Sequence, residues 1–250
     1  MLPASHDSGP QSPDPSPQSR VPAGHRVVAL IEVLICSDFL TQIALSGTLG
    51  VLGYGPFFGG RLRITYVVGL SLTDTALLLG LIVFFLRVHG ESPREVFFGT
   101  RPIGREAARG VWLIWVALGI GVVVLGGIQH FVPWLHTVEH NPLQDLLGSK
   151  RDAWLFALVV LVAGGVREEL QRAFLLHRFE QGLGGGVIGL VVTSAAFGAG
   201  HLLQGVDAAI ATGLLGAFWG AVYLRRRSCA ASIVSHSGFD LLQIVQFLVK

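Results

Sequence analysis

Hydrophobic positions in this chain run on in long unbroken stretches rather than alternating with polar ones. They lack the two-residue period of a half-buried strand and the narrow apolar stripe of a soluble amphipathic helix. A hydrocarbon core of about 30 Å asks for roughly 20 apolar residues per helical span. Seven stretches meet that length: Val27–Leu52, Ile64–Val88, Val111–Leu135, Ala153–Phe179, Val187–Val206, Ala208–Leu224 and Ser228–Val249. The pattern predicts an all-α, polytopic membrane helix bundle of about seven transmembrane helices over residues 25–250. Transmembrane β-strands would instead alternate apolar and polar residues over short segments. Ahead of the first stretch, residues 1–24 hold six of the eleven prolines among Ser, Gln and Asp. Such a segment buries too little apolar surface to repay its ordering entropy, and a disordered tail is expected there. It has no apolar core of the signal-peptide kind.

Composition sharpens this picture. Of the 250 residues, 51% are hydrophobic and only 14% charged, with a mean hydropathy of +0.61. A soluble domain carries about 25% charge, so an ordinary water-soluble enzyme is excluded and the bilayer is the expected surrounding. A net charge of +2, without a basic stripe, excludes a nucleic-acid partner. Cys36 and Cys229 both lie in apolar runs and offer neither a disulfide framework nor a cysteine metal site. With seven spans, Arg20, Arg26, Arg87, Arg94, Arg101, Arg105, Arg109, Arg178 and Arg225 to Arg227 fall on one side. Only Arg61, Arg63, Lys150, Arg151 and Lys250 fall on the other, which predicts a cytoplasmic N-terminus. The lack of a signal sequence and the low cysteine content suit a bacterial inner membrane. Residues Glu91–Arg109 are expected along the cytoplasmic interface. Gly185 with Gly189, and Gly216 with Gly220, have the small-xxx-small spacing that lets helices approach closely.

The charges inside the last four stretches carry the chemistry. Within the fourth, Arg167, Glu168, Glu169 and Arg172 interrupt an otherwise apolar run. Each ionised residue at a helix centre costs about 2.5–3.5 kcal/mol on insertion scales. Four isolated charges would therefore cost roughly 10–14 kcal/mol, and they must be paired, hydrated or near the surface. Glu168 and Arg172 stand at i,i+4, Glu169 and Arg172 at i,i+3, and either pair can meet on one face. The apolar part could also end at Val166, with a polar helix beginning at Arg167. The fifth stretch holds Phe197-Gly-Ala-Gly-His201, and the seventh holds His236 and Asp240 at i,i+4. Ionisable residues on three spans point to one common site.

Carboxylates and histidines in that setting suit hydrolysis of an acyl bond by activated water. A carboxylate serves as general base, and a histidine donates to the developing oxyanion. Glu168, His201, His236 and Asp240 are equally a donor set for a divalent metal such as zinc. No hydrolase elbow, phosphate loop or His-Glu-x-x-His zinc helix occurs. Glu32, Asp38, Asp74, Gln129 and His130 are expected at span ends or in contacts between helices.

At these residues the chain resembles the CPBP family of intramembrane proteases, which includes the type II CAAX prenyl endopeptidases and bacterial abortive-infection or bacteriocin-immunity proteins. The resemblance covers roughly Asp152–Phe247. Its motifs are a Glu-Glu pair followed by Arg (Glu168, Glu169, Arg172), Phe-x-x-x-His (Phe197, His201), and His-x-x-x-Asn or Asp (His236, Asp240) after Tyr223-Leu-Arg. It implies a glutamate-dependent endopeptidase acting on a membrane-tethered, in some members prenylated, protein or peptide, without a required cofactor. Glu168 would activate water with His201, His236 and Asp240 would form the oxyanion site, and Arg172 would hold the glutamate geometry. It equally accommodates an inactive scaffold or immunity protein of the same family, or a zinc-dependent membrane peptidase. A proton-coupled transporter fits less well, because the chain lacks two matching halves with broken helices.

The family has three residues between the Glu pair and the Arg, and this chain has two, Leu170 and Gln171. One alignment keeps Glu168 at the catalytic position. The other places Arg167 there, and one residue rotates a helix by about 100°. Taking Arg178 and Arg227 as the edges, Glu168 and His236 lie about 15 Å and 13 Å deep, and His201, counted from Gly184, about 25 Å. The three meet only if the fifth helix starts late or tilts.

Overall fold

The computed structural model describes residues 22–139 and 141–248. The predicted tail lies outside the described residues except at its end, where Ala23 already begins a helix. In chain order the elements open with α1 (Ala23–Ile35), α2 (Phe39–Val51), a hairpin of β1 (Phe57–Phe58) and β2 (Arg61–Leu62), α3 (Ile64–Val88) and α4 (Pro93–Phe98). There follow α5 (Ile103–Phe131), α6 (Lys150–Val159), a π-helical segment (Val160–Arg167) and α7 (Glu168–Gly182). Last come α8 (Gly186–Ala199), α9 (Val206–Arg226) and α10 (Ala230–Leu248). The architecture is an all-α polytopic membrane bundle. Among the described residues, α3, α5 and α9 are each long and apolar enough to cross a bilayer, and α1 with α2 form one further path bent by 43°.

Three of the expected stretches differ from simple spans, the first being the broken pair α1 and α2. Residues 150–182 form one continuous helical path, so the charged run does not begin a separate polar helix at Val166. The expected Val187–Val206 span is a helix of only 14 residues ending at Ala199. Gly198 and Gly200 flank that end, and glycine costs about 1 kcal/mol relative to alanine inside a helix. The chain then passes His201 into a 3-10 turn at Leu202–Gln204, and Gly205 at φ 121° starts α9.

Local signals account for the other boundaries. Ser92 Oγ accepts from the Glu95 amide with Pro93 next in line, which opens α4. Ser149 does the same for α6 through the Asp152 amide. Gly184 and Gly185, at φ 98° and 95°, turn the chain from α7 into α8. Gly185 is therefore a turn residue, and a side chain there would touch nothing. Gly189, Gly216 and Gly220 do let helices close up, against Phe179, Phe197 and Leu190 respectively.

At the arginine-rich end, Glu32 of α1 accepts from Arg178 of α7 at 2.5 Å and pairs with His89 at 2.6 Å. Arg178 also donates to Glu91 at 2.6 Å. Glu106 of α5 accepts from Arg226 of α9 at 2.6 and 3.0 Å. Residues 91–109 form α4 and the first turns of α5. Phe97 is turned into the core, and Tyr223 Oη donates to the Val96 carbonyl at 2.9 Å. One buried cluster joins Leu78, Ile82 and Leu86 of α3 to Phe174 and Leu176 of α7. A second joins Ala117 of α5 to Leu215 and Trp219 of α9, with Phe197 and Phe239 against it.

Candidate active site

The candidate site begins where the π segment hands over to α7. A π turn is wider than an α turn and is frequent at functional positions. Here its Gly164 and Gly165 lie directly under α10. A Cβ on Gly164 would stand 2.8 Å from Asp240 Oδ2, and one on Gly165 would collide with Ser237. With side chains at both places α10 could not bring its polar face this close. The Gly-Gly step just ahead of the charged run is the mark this close approach leaves in the sequence.

Glu169 is the buried member of the glutamate pair, its side chain 1% exposed. It forms an ion pair with Arg172 one turn along the same helix. Nδ1 of His236 lies 2.9 Å from the same carboxylate oxygen. Of the two spacings open in the sequence, the structure thus uses Glu169–Arg172. Arg172 in turn lies over the Phe197 ring at 4.7 Å and near the Trp219 ring at 6.0 Å, a setting in which aromatic faces compensate a desolvated cation. Gly220 leaves room for its aliphatic stem, since a Cβ there would sit 3.3 Å from Arg172 Cδ.

Glu168 is the more open carboxylate, with 18% of its side chain exposed. Its Oε2 lies 3.9 Å from His236 Nε2, and Asp240 Oδ2 lies 3.6 Å from the same nitrogen. The imidazole is therefore held on one side by Glu169 and presents its other nitrogen to Glu168 and Asp240. Trp219 fixes the ring plane, stacking on His236 at 3.8 Å between centroids and 17° between planes. The Trp219 indole N–H donates to Ser235 Oγ at 3.1 Å, which ties α9 to α10. Trp219 was invisible as a site residue in sequence, because a lone aromatic in an apolar helix reads as core.

His201 stands one ring away. Its Nδ1 pairs with the Phe197 carbonyl at 2.8 Å, and its ring meets the Phe197 ring edge-on at 5.0 Å. The same Phe197 ring meets His236 at 6.1 Å. The helix stop at Ala199 lets His201 turn back toward Phe197, which sits at the level of Arg172. Arg167 points elsewhere: Nη1 lies 2.7 Å from Asp38 Oδ1 and Nη2 donates to Glu168 at 3.3 Å. Arg167 is thus turned toward the α1–α2 break and α3, while Glu168 faces His236.

Among the described residues, no group of three or more His, Cys, Asp or Glu side chains is placed to hold a metal ion. Glu169 Oε1 is shared by Nδ1 of His236 and the Arg172 guanidinium.

Comparison with curated proteins gives no match, and comparison with solved structures gives none. Residues 150–242 match a family model, described as type II CAAX prenyl endopeptidase Rce1-like. That stretch contains Glu168, Glu169, Arg172, His201, His236 and Asp240, and leaves α1 to α5 outside it. The part of the chain that builds the site is thus similar to the Rce1-like type II CAAX prenyl endopeptidases.

Proposed function

We propose that the protein is a CAAX-type intramembrane endopeptidase in which Glu168 activates the attacking water. The observation that carries this reading is the placement of Glu168 against Nε2 of an imidazole whose Nδ1 is fixed by Glu169. Glu168 takes a proton from water as the water oxygen bonds to the scissile carbonyl carbon. His236, protonated on Nε2, donates to the resulting oxyanion. Glu168 then returns the proton to the amine as the carbon–nitrogen bond breaks. Asp240 accepts only, and its role is to hold the imidazolium charge. We assign His201, whose Nδ1 is held by the Phe197 carbonyl, the orienting of that water through its free Nε2. Arg172 acts through Glu169.

Position along α5 supports water access from the arginine-rich end. Trp112 and Phe131 are both exposed on α5. Their separation corresponds to about 28 Å at 1.5 Å per residue, close to a hydrocarbon core of about 30 Å. Gly238 packs on Ile114, so His236 sits near the Trp112 level rather than mid-bilayer. We assign the arginine-rich end to the cytoplasm of a bacterial inner membrane, and the substrate to a membrane-tethered, prenylated peptide.

The test uses the purified protein in lipid vesicles with a farnesylated peptide ending in a CAAX sequence. Cleavage should survive exhaustive chelation and fall at least about 100-fold in Glu168→Gln. Undiminished cleavage by that variant would overturn the assignment.

A further inference from the structure

The α1–α2 break and α3 reach the candidate site through Arg167. Arg167, 5% exposed, precedes Glu168 and carries its guanidinium between three carboxylates. Nη1 lies 2.7 Å from Asp38 and 3.5 Å from Asp74, and Nη2 lies 3.3 Å from Glu168 Oε1. Nε donates to the Ala163 carbonyl at 3.3 Å, inside the π segment. Asp38 sits in the break between α1 and α2, and Asp74 on α3.

This arrangement is costly. Asp38 adopts φ 77°, the left-handed region, although it is not glycine. Such a residue costs on the order of 1–3 kcal/mol and persists where the surroundings over-determine it, commonly at functional sites. Asp38 Oδ1, Asp74 Oδ1 and Arg167 Nη1 are buried without an aligned hydrogen-bond partner among the described residues. Buried ion pairs of this kind are weak sources of stability. Gln42 Nε2 nevertheless holds Asp38 Oδ2 at 2.7 Å, which aims the carboxylate at Arg167.

We infer that Asp38 and Asp74, acting through Arg167, are positioning residues for Glu168. They lock the guanidinium beside the glutamate, so that the Glu168 carboxylate is steered toward His236 instead of rotating away. The inference rests on the proposed function and extends it to two elements outside the family-matched stretch. Glu168 is faced by Arg167 and Glu169 on its own helix and by His236 and Asp240 from α10. Arg167 is faced by Asp38 from the α1–α2 break, Asp74 from α3, and Glu168. Removing the cation favours protonation of Glu168, and removing an acid that competes for the cation does the opposite.

The test measures kcat, KM and the pH–rate profile on the farnesylated CAAX peptide in vesicles. Arg167→Gln should lower kcat at least tenfold with KM within twofold, and should move the acidic limb of the profile to higher pH. Asp38→Asn should also lower kcat but move that limb to lower pH. Arg167→Lys should return the limb toward its original position while recovering kcat only partly. Asp38→Gly keeps the test decisive if the other variants fold poorly. Glycine is at ease at this φ, so its Tm should hold or rise while kcat falls. A wild-type kcat in a folded Asp38→Gly, or limbs that do not move, would overturn the inference. If Glu168→Gln is inactive while these variants are normal, only the positioning role fails. If Glu168→Gln is itself active, the proposed function fails first.

Discussion

Glu169→Gln removes one negative charge from a side chain that is 1% exposed and leaves the Arg172 guanidinium, 5% exposed, without its counter-charge. Breaking a buried pair by deleting one partner costs about 3–5 kcal/mol, because the surviving charge stays desolvated. The amide also withdraws the negative acceptor from Nδ1 of His236. For a chain of this size each kcal/mol corresponds to about 2–4 °C in Tm, so a fall of roughly 6–20 °C is expected. Glu168→Gln, one residue away, should behave differently. Its side chain is 18% exposed, its Arg167 contact is 3.3 Å long, and glutamine can still accept there. Its stability loss should stay within about 1.5 kcal/mol, while cleavage falls by about 100- to 10,000-fold. The assay pairs thermal unfolding in detergent with cleavage of the farnesylated CAAX peptide in vesicles. Equal Tm losses for the two variants, or a Glu169→Gln as stable as wild type, would refute the division of labour between the two glutamates.

Other perturbations follow from the same geometry. Gly164→Ala should displace Asp240 and cost about 1–3 kcal/mol by overpacking, read as a lower Tm with reduced cleavage. Trp219→Ala should cost about 3–5 kcal/mol and also lower kcat, since the ring that stacks on His236 is lost; an unchanged kcat in the folded variant would count against that stacking role. His201→Ala should abolish cleavage while shifting Tm little, because the side chain is only partly buried and bonds a single carbonyl. Glu91 lies between α3 and α4, where burial raises its carboxyl but hydrogen bonds from Arg178, Gln181 and His177 outweigh it and hold it below the usual range. A lowered folded-state pKa gives stability present above the unfolded value of about 4.3 and lost as pH falls through the folded one. Tm should therefore drop on acidification below that value, and Glu91→Gln should flatten the drop.

Much of this was legible in the sequence because lipid makes it so. Uninterrupted apolar runs require helices, and Ile64–Val88 is a helix with the very ends the pattern gave. Charges amid leucine stand out for the same energetic reason, and Glu32, Asp38 and Asp74 do form contacts between helices as expected. What the sequence left open were choices made by geometry over one or two residues. Whether Arg172 pairs with Glu168 or Glu169 depends on helix phase, and the eight-residue π segment shifts that phase with only its Gly-Gly step to mark it. The early stop of α8 depends on two glycines whose cost is small beside the packing that surrounds them. Asp38 reaches Arg167 only because the α1–α2 path bends by 43°, which an apolar run does not announce.

The central claim is that Glu168 delivers a water molecule to a peptide bond inside the bundle. Its most direct measurement is cleavage of the farnesylated CAAX peptide in water enriched in oxygen-18, with the products weighed by mass spectrometry. The account predicts one heavy oxygen in the newly formed carboxylate from the wild-type protein under chelation, and no labelled product from Glu168→Gln. A folded wild-type protein that yields no cleaved product, or equal labelling by Glu168→Gln, would contradict it.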